Sequence, residues 1–331
     1  MPDSVPLLEV EGLHTWFPIR SGLMRRVTGW VRAVDGVDLR LSEGETLALV
    51  GESGCGKTTV GRSILKLEEP RSGSVRVEGK QLLSLSPAEL RPYRQQLQIV
   101  FQDPMASLDP RMRIVDIVTE GMRTFGIGGD ERGRKERAAE LLARVQLAPE
   151  VLGRYPHELS GGQRQRVCIA RALAVEPRLI ICDEAVSALD VSIQAQILNL
   201  LSDLQQEFGL SYLFITHDLG VVRHVADRVA VMYLGQIVEE AATDELFANP
   251  KHPYTRGLLA AVPSVHPARR MERVPVLGDV PSPSSPPKGC RFHTRCPDVF
   301  DRCREDAPEL LDVGSSRSRC FLSQGEPAAG S

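Results

Sequence analysis

Short apolar runs of β type alternate with longer stretches of helical period along the first two-thirds of the chain. Leu47 to Val50, Leu97 to Phe101, Leu179 to Cys182, Tyr212 to Ile215 and Val229 to Tyr233 are each nearly continuous apolar segments, the pattern of strands buried on both faces. Segments long enough for helices separate them, which predicts a largely parallel sheet in a three-layer α/β core. From Met112 to Ala174 no strand pattern is evident, and Glu131 to Val145 alternates charged and aliphatic residues with helical period, so a helical subdomain at about 110–175 is expected there. Prolines become dense in the last part of the chain, and a boundary is expected between Ala241 and Asn249. The run Pro281-Ser282-Pro283-Ser284-Ser285-Pro286-Pro287 lacks several amides and most apolar side chains, and so predicts an extended linker or loop.

Composition narrows this picture in three ways. A chain of 331 residues, 42% hydrophobic and 25% charged, suits a large α/β domain with an appendage. Runs such as Thr46 to Gly51 fall far short of the roughly 20 residues of a membrane span, and the N-terminus lacks the basic-then-apolar order of a secretory signal, so a cytoplasmic location is expected. A formal net charge of -3 offers no general attraction to nucleic acid, which is therefore not an expected partner. The stretch from Arg20 to Arg32, with four arginines and Trp30, reads as a solvated insertion loop.

The chemistry begins at Gly51-Glu52-Ser53-Gly54-Cys55-Gly56-Lys57-Thr58, which matches G-x-x-x-x-G-K-[ST] and lies between a predicted strand and a predicted helix. Glycines there let backbone amides point at phosphate oxygens, and the helix N-terminus adds positive potential. Lys57 is placed to reach the β and γ phosphates, and Thr58 to hold Mg²⁺. Leu179 to Cys182 delivers Asp183 and Glu184 at a strand C-terminus. Asp183 is the expected support for Mg²⁺ through water, and Glu184 the expected general base for the attacking water, with an N-cap or first-turn acid on the next helix as its alternative reading. Ser160-Gly161-Gly162-Gln163 opens a helical stretch that runs to Ala174 and makes a second anion-binding helix end.

Leu159 to Gln163 followed by Arg164-Gln165-Arg166 resembles the signature motif of the ABC ATPases, and the resemblance covers roughly the first 250 residues. It implies a P-loop NTPase with a RecA-like core, an antiparallel β subdomain and an inserted helical subdomain, spanning 1–249, plus a small Pro- and Cys-rich extension over 250–331. It implies a head-to-tail dimer in which the signature residues of one subunit cap ATP held by the other. It also implies roles for Gln102 in the Q-loop, as a link between Mg²⁺, water and the membrane partner, for Asp190 in the D-loop, and for His217 as γ-phosphate sensor. Ser53 and Thr59 join the nucleotide contacts on the same ground. Trp16 or Phe17 is the aromatic expected against adenine, with Trp16 preferred.

Ala33-Val34-Asp35-Gly36-Val37, Phe101-Gln102-Asp103-Pro104 with Ser107-Leu108-Asp109-Pro110, and His252-Pro253-Tyr254-Thr255 are similar to the oligopeptide/dipeptide importer branch. That resemblance implies two integral-membrane permease subunits, a second ATPase subunit (itself or a paralogue), an extracytoplasmic peptide-binding protein met only indirectly, and a place on the cytoplasmic face of a bacterial inner membrane. The ATPase of a nickel, sugar or amino-acid importer or of an exporter would share every catalytic residue. An ABC-type nucleic-acid ATPase is the rival from another class, and the absence of a second cassette or a basic face argues against it.

Four of the seven cysteines, Cys290, Cys296, Cys303 and Cys320, fall in the extension with the spacing C-x5-C-x6-C-x16-C. Four thiolates suit zinc or a [4Fe–4S] cluster in a reducing compartment, with uncomplexed thiols as the plain alternative. No C-x-x-C pair is present, which argues against a zinc ribbon, and the resemblance to importer ATPases that carry clusters implies iron–sulfur. Cys55, Cys168 and Cys182 read as fillers beside the motifs.

Overall fold

The computed structural model describes residues 5–22, 25–261 and 277–325. The chain divides into two compact units. The first is built from residues up to Leu41, Thr46–Leu83 and Thr216 onward; the second from Ser42–Glu45 and Ser84–Ile215.

In the first unit, the strand Thr46–Val50 is buried at every position, in keeping with the unbroken aliphatic run Leu47 to Val50. It lies parallel to Arg228–Tyr233, with Leu47 opposite Arg228 and Val50 opposite Val231. Arg228–Tyr233 then pairs antiparallel with Gln236–Ala242, and the two short strands Ser316–Ser318 and Leu311–Val313 extend that edge. The extension beyond Asn249 thus adds strands to the sheet that contains Thr46–Val50, the strand leading into Gly51–Thr58. Ala48, Val50, Val229, Val231, Tyr233, Tyr254 and Phe292 share one buried cluster, against which Cys290 and Cys296 also pack.

A second, antiparallel sheet in the same unit is dominated by the hairpin arms Leu8–Ser21 and Arg26–Leu41, with Ser72–Val77 and Lys80–Gln81 beside them. This corrects the expectation of a solvated loop from Arg20 to Arg32. Ile19 pairs with Gly29, Arg20 with Val27 and Ser21 with Arg26, so the strands run on through most of that stretch. The β-branched and aromatic residues Val27, Thr28, Trp30 and Val31 favour the extended state, while Arg20, Arg25 and Arg26 sit on exposed positions that a half-solvated antiparallel ribbon tolerates.

In the second unit, Leu179–Asp183 is flanked on both sides by parallel neighbours, Leu97–Val100 and Ser211–Thr216. All five of its residues are buried, which explains the unbroken apolar run in the sequence. Helices Ile114–Phe125, Glu131–Arg144 and Gly161–Leu173 pack on one another, and no strand occurs between Met112 and Ala174. Among the described residues, no helix is long and apolar enough to cross a membrane.

Candidate active site

In the first unit, the buried strand ends at Val50 and the helix Lys57–Ile64 begins seven residues later, so the intervening loop must reverse tightly. Two glycines make this feasible. A Cβ on Gly51 would lie 2.2 Å from the Met232 carbonyl oxygen, and one on Gly56, at φ 110°, would lie 2.0 Å from the Ala33 carbonyl oxygen. Neither position accepts a side chain without moving backbone. Lys57 is buried and donates from Nζ to the carbonyls of Gly51 at 2.8 Å and Glu52 at 3.0 Å. Its ammonium therefore sits within the mouth of the loop, beside the buried Cys55 thiol, whose pKa burial pushes up. Ser53 and Gly54 are exposed, and Thr58 and Thr59 are half-buried at the helix start.

Trp16 belongs to the same unit, half-buried in the first long strand. Its indole N–H donates to Asp35 at 3.0 Å, and the guanidinium groups of Arg32 and Arg71 each lie 4.8 Å from its ring centroid. His217 is exposed, directly after the strand that ends at Thr216. Asp218 behind it caps the helix Leu219–Val225 by accepting from Gly220 and Val221.

The second unit holds the remaining motif residues. Asp183 is buried at the end of its strand. Glu184 follows with φ 49°, a left-handed conformation rare for a residue with a Cβ, and its N–H donates to the Ile215 carbonyl at 2.9 Å. It neither caps the next helix nor occupies its first turn, as its alternative reading required: that helix is Val191–Phe208 and Asp190 is its N-cap. Ser160 caps the helix Gly161–Leu173 in a reciprocal box, with the Gln163 amide donating to the Ser160 hydroxyl at 3.3 Å and the Ser160 amide donating to the Gln163 side chain at 3.0 Å. Ser160 is exposed and Gly161, Gly162 and Gln163 are half-buried, while Gln102 stands exposed just past the strand Leu97–Val100.

All seven cysteines are free thiols. In the extension, the Cys290 amide donates to the Cys303 carbonyl at 2.9 Å. Burial raises the Cys290 thiol to about 11 and the Cys296 thiol to about 12, and Cys320 is raised for the same reason, with neighbouring thiols of the group adding to each shift. Among the described residues, no three His, Cys, Asp or Glu side chains are grouped closely enough to hold a metal ion. The four thiols are neighbours but do not form a ready coordination cage.

Local sequence patterns did not reveal which residues hold the phosphate-type loop from outside. Tyr254 and Arg295, both beyond residue 250, bond to Glu52 of the loop, and Arg291 from the same region bonds to Asp35, the acceptor of the Trp16 indole. Tyr254 was visible only as part of a family-like segment, and the two arginines carry no local signal.

A buried parallel strand that turns through two obligatory glycines into a helix N-terminus defines a P-loop nucleotide-binding fold. Residues 34–187 match the family model described as ABC transporter, and residues 238–303 match that of the oligopeptide/dipeptide transporter, C-terminal region. The chain belongs to the ABC transporter ATPases, in the branch that carries this C-terminal region. It is 52% identical to the oligopeptide transport ATP-binding protein AppF of Bacillus subtilis (strain 168), over 94% of this chain and 95% of that one. It is 47% identical to the dipeptide transport ATP-binding protein DppF of Escherichia coli (strain K12), over 96% of this chain and 94% of that one. Among solved structures, the ATP-binding cassette MJ0796, dimeric in a post-hydrolysis state bound to ADP and Pi, superposes with a TM-score of 0.64 at 28% identity, over 71% of this chain and 98% of that one.

Proposed function

We propose that this chain is the ATP-hydrolysing subunit that powers uptake of di- and oligopeptides through partner permeases at the inner membrane. The observation that carries the reading is the presence of both regions in one chain: an ABC cassette at 34–187 and the oligopeptide/dipeptide transporter C-terminal region at 238–303. In this reading the amides of Gly51 to Thr59 and the Lys57 ammonium bind the nucleotide phosphates. The oxygen donors of Thr58, Gln102 and Asp183 are of the hard class that Mg²⁺ takes. Trp16 stacks on adenine, Glu184 removes the proton of the attacking water, and His217 senses the γ-phosphate. Ser160 to Gln163 caps the nucleotide of a second ATPase subunit, self or paralogue, with Asp190 beside it. Two permease subunits and an extracytoplasmic peptide-binding protein complete the complex, and this chain sits on its cytoplasmic face.

Co-reconstitution of the chain with its permeases and binding protein in vesicles tests the reading. ATP-dependent accumulation of a labelled di- or tripeptide is expected, with none when Glu184→Gln replaces the wild type, and the variant held as an ATP-bound dimer. Equal uptake by the two would refute the assignment of Glu184, and uptake of a sugar or metal in place of peptide would refute the substrate class.

The backbone hydrogen bond from Cys290 to Cys303 and the packing of Cys290 and Cys296 against one buried cluster favour a second assignment, that Cys290, Cys296, Cys303 and Cys320 bind a [4Fe–4S] cluster or zinc on deprotonation. Burial holds Cys290, Cys296 and Cys320 in the protonated state, so binding must release protons and draw the thiols together. Anaerobic purification with visible absorption and metal analysis decides it; colourless protein containing neither iron nor zinc would end this assignment.

A further inference from the structure

Glu52, the second residue of the phosphate loop, is fixed from three directions. Its N–H donates to the Tyr254 hydroxyl at 2.9 Å. Its carboxylate accepts two hydrogen bonds from Arg295, 2.7 Å from Nη1 and 3.0 Å from Nη2. Its carbonyl accepts from Lys57, the residue placed to meet the nucleotide phosphates, at 3.0 Å. With its amide committed to Tyr254, Glu52 is an anchor of the loop from which the later amides project.

Both outer partners come from the C-terminal part of the chain, 202 and 243 residues away in sequence. They are rigidly placed. Tyr254 is fully buried, with its ring 5.4 Å from that of Phe292 and 4.7 Å from that of Tyr233. Arg295 is 7% exposed, its guanidinium lies over the Tyr233 ring, and its Nε donates to the Leu277 carbonyl at 3.3 Å. A planar guanidinium bonded through both terminal nitrogens fixes the orientation of a carboxylate as well as its position, which a lysine ammonium cannot do.

A bridge that only fastened the extension to the domain could end on any surface acid. This one ends inside the loop that must hold its amides in register for a phosphate, on the residue whose carbonyl also receives Lys57.

We propose that Arg295 is a positioning residue for the nucleotide site: by orienting Glu52 it holds the phosphate loop in its anion-ready form, so that the C-terminal extension sets the affinity for ATP. The inference rests on the reading of Gly51 to Thr58 as the nucleotide loop. Truncating Arg295 frees Glu52 to rotate and lets the Lys57 ammonium follow its carbonyl. The loss falls on binding, in the ground and transition states alike, and so on KM more than on kcat.

The test uses the purified full-length chain. A fluorescent ATP analogue gives Kd, and steady-state hydrolysis gives KM and kcat, for wild type, Arg295→Ala, Arg295→Lys, Glu52→Gln and the double variant Glu52→Gln/Arg295→Ala. Arg295→Ala is expected to raise Kd and KM roughly tenfold with kcat within about twofold. Arg295→Lys should recover only part of the loss, and the double variant should bind no more weakly than the worse single one. A lowered melting temperature with wild-type Kd and KM in Arg295→Ala and Glu52→Gln would make the bridge merely structural and overturn the proposal. Multiplicative losses in the double variant would overturn it too, because Arg295 would then act other than through Glu52. Should Arg295→Ala fail to fold, Arg295→Lys and Glu52→Gln carry the same KM-against-kcat comparison. A wild-type chain that binds no ATP would instead refute the nucleotide reading itself.

Discussion

The carbonyl of Glu184 accepts two hydrogen bonds from Ser187, one from its amide at 3.1 Å and one from its hydroxyl at 3.0 Å. Together with the Glu184 amide bonded to Ile215, they hold a side-chain-bearing residue at φ 49° directly after the strand that ends at Asp183. Such a conformation costs about 1–2 kcal/mol and persists only where the surroundings impose it.

That strain yields a prediction with two arms. Glu184→Gly removes the left-handed penalty and adds a comparable chain-entropy cost, so its stability should stay within about 0.5 kcal/mol of wild type while ATP hydrolysis falls at least about a hundredfold. Glu184→Val should be equally inactive and about 2 kcal/mol less stable, because a β-branched side chain fits this region worst. Urea unfolding with ATPase assays on both proteins checks it. A glycine variant as unstable as the valine one would show that φ at this position stores no strain.

Two glycines of the phosphate loop should behave oppositely. Gly56 would place a Cβ 2.0 Å from the Ala33 carbonyl oxygen and 2.9 Å from Met232, whereas Gly54, at φ 78°, has nothing within 4 Å. Gly56→Ala must shift backbone and is expected to cost about 3 kcal/mol or more and to abolish nucleotide binding. Gly54→Ala meets only its own conformational penalty, about 1 kcal/mol. Thermal melts of the two variants, with and without ATP, separate them; equal losses would mean that the close approach to Ala33 is not what demands glycine.

Why some of this was legible in the sequence and some was not follows from how far apart the cooperating residues lie. The phosphate loop needs glycines and a lysine within eight positions, so its requirement is written locally, as is the capping box of Ser160 and Gln163 at a spacing of three. The fully buried strands Thr46–Val50 and Leu179–Asp183 are visible through their apolar runs Leu47 to Val50 and Leu179 to Cys182. The hairpin arm around Trp30 is not, because the arginines at its two ends, Arg26 and Arg32, mask the β-branched residues between them. Nor could local pattern reveal that Arg295 meets Glu52 or that Glu184 is left-handed, since both depend on contacts that only the folded chain creates.

Ser160 has two separable duties. Its hydroxyl accepts from the Gln163 amide as a helix cap, and in the proposed dimer it also faces the partner's nucleotide. Ser160→Ala should lose about 1 kcal/mol of stability along with ATPase activity. Ser160→Asn keeps a good cap, so it should retain stability and still lose activity, because the larger amide cannot stand in for the small hydroxyl at a phosphate. An active asparagine variant, measured at saturating ATP, would reduce Ser160 to a cap alone.

The pH dependence of stability should carry a mark of His252. This side chain is almost wholly buried, and its Nδ1 accepts the Tyr254 amide at 3.0 Å, which requires the neutral ring. Burial, reinforced by the nearby Arg256 and Arg319 charges, pushes its pKa down to about 3. The unfolded chain, with an ordinary histidine near 6.5, therefore binds a proton that the folded chain refuses throughout the window between the two values. The stabilisation is fully present above about pH 6.5 and is lost as the pH falls, amounting to about 1.4 kcal/mol by pH 5.5. The buried Glu239, whose carboxylate accepts the His252 amide at 2.9 Å, has its pKa raised by burial and works in the opposite direction, so wild type alone would mix the two. His252→Asn retains a helix-capping acceptor but cannot titrate, and Glu239 is common to both proteins. The stability difference between wild type and this variant should therefore shrink by about 1.4 kcal/mol between pH 7.5 and pH 5.5, measured by denaturant unfolding. A difference that stays constant across that range would mean that His252 takes up a proton as readily in the folded protein as in the unfolded chain.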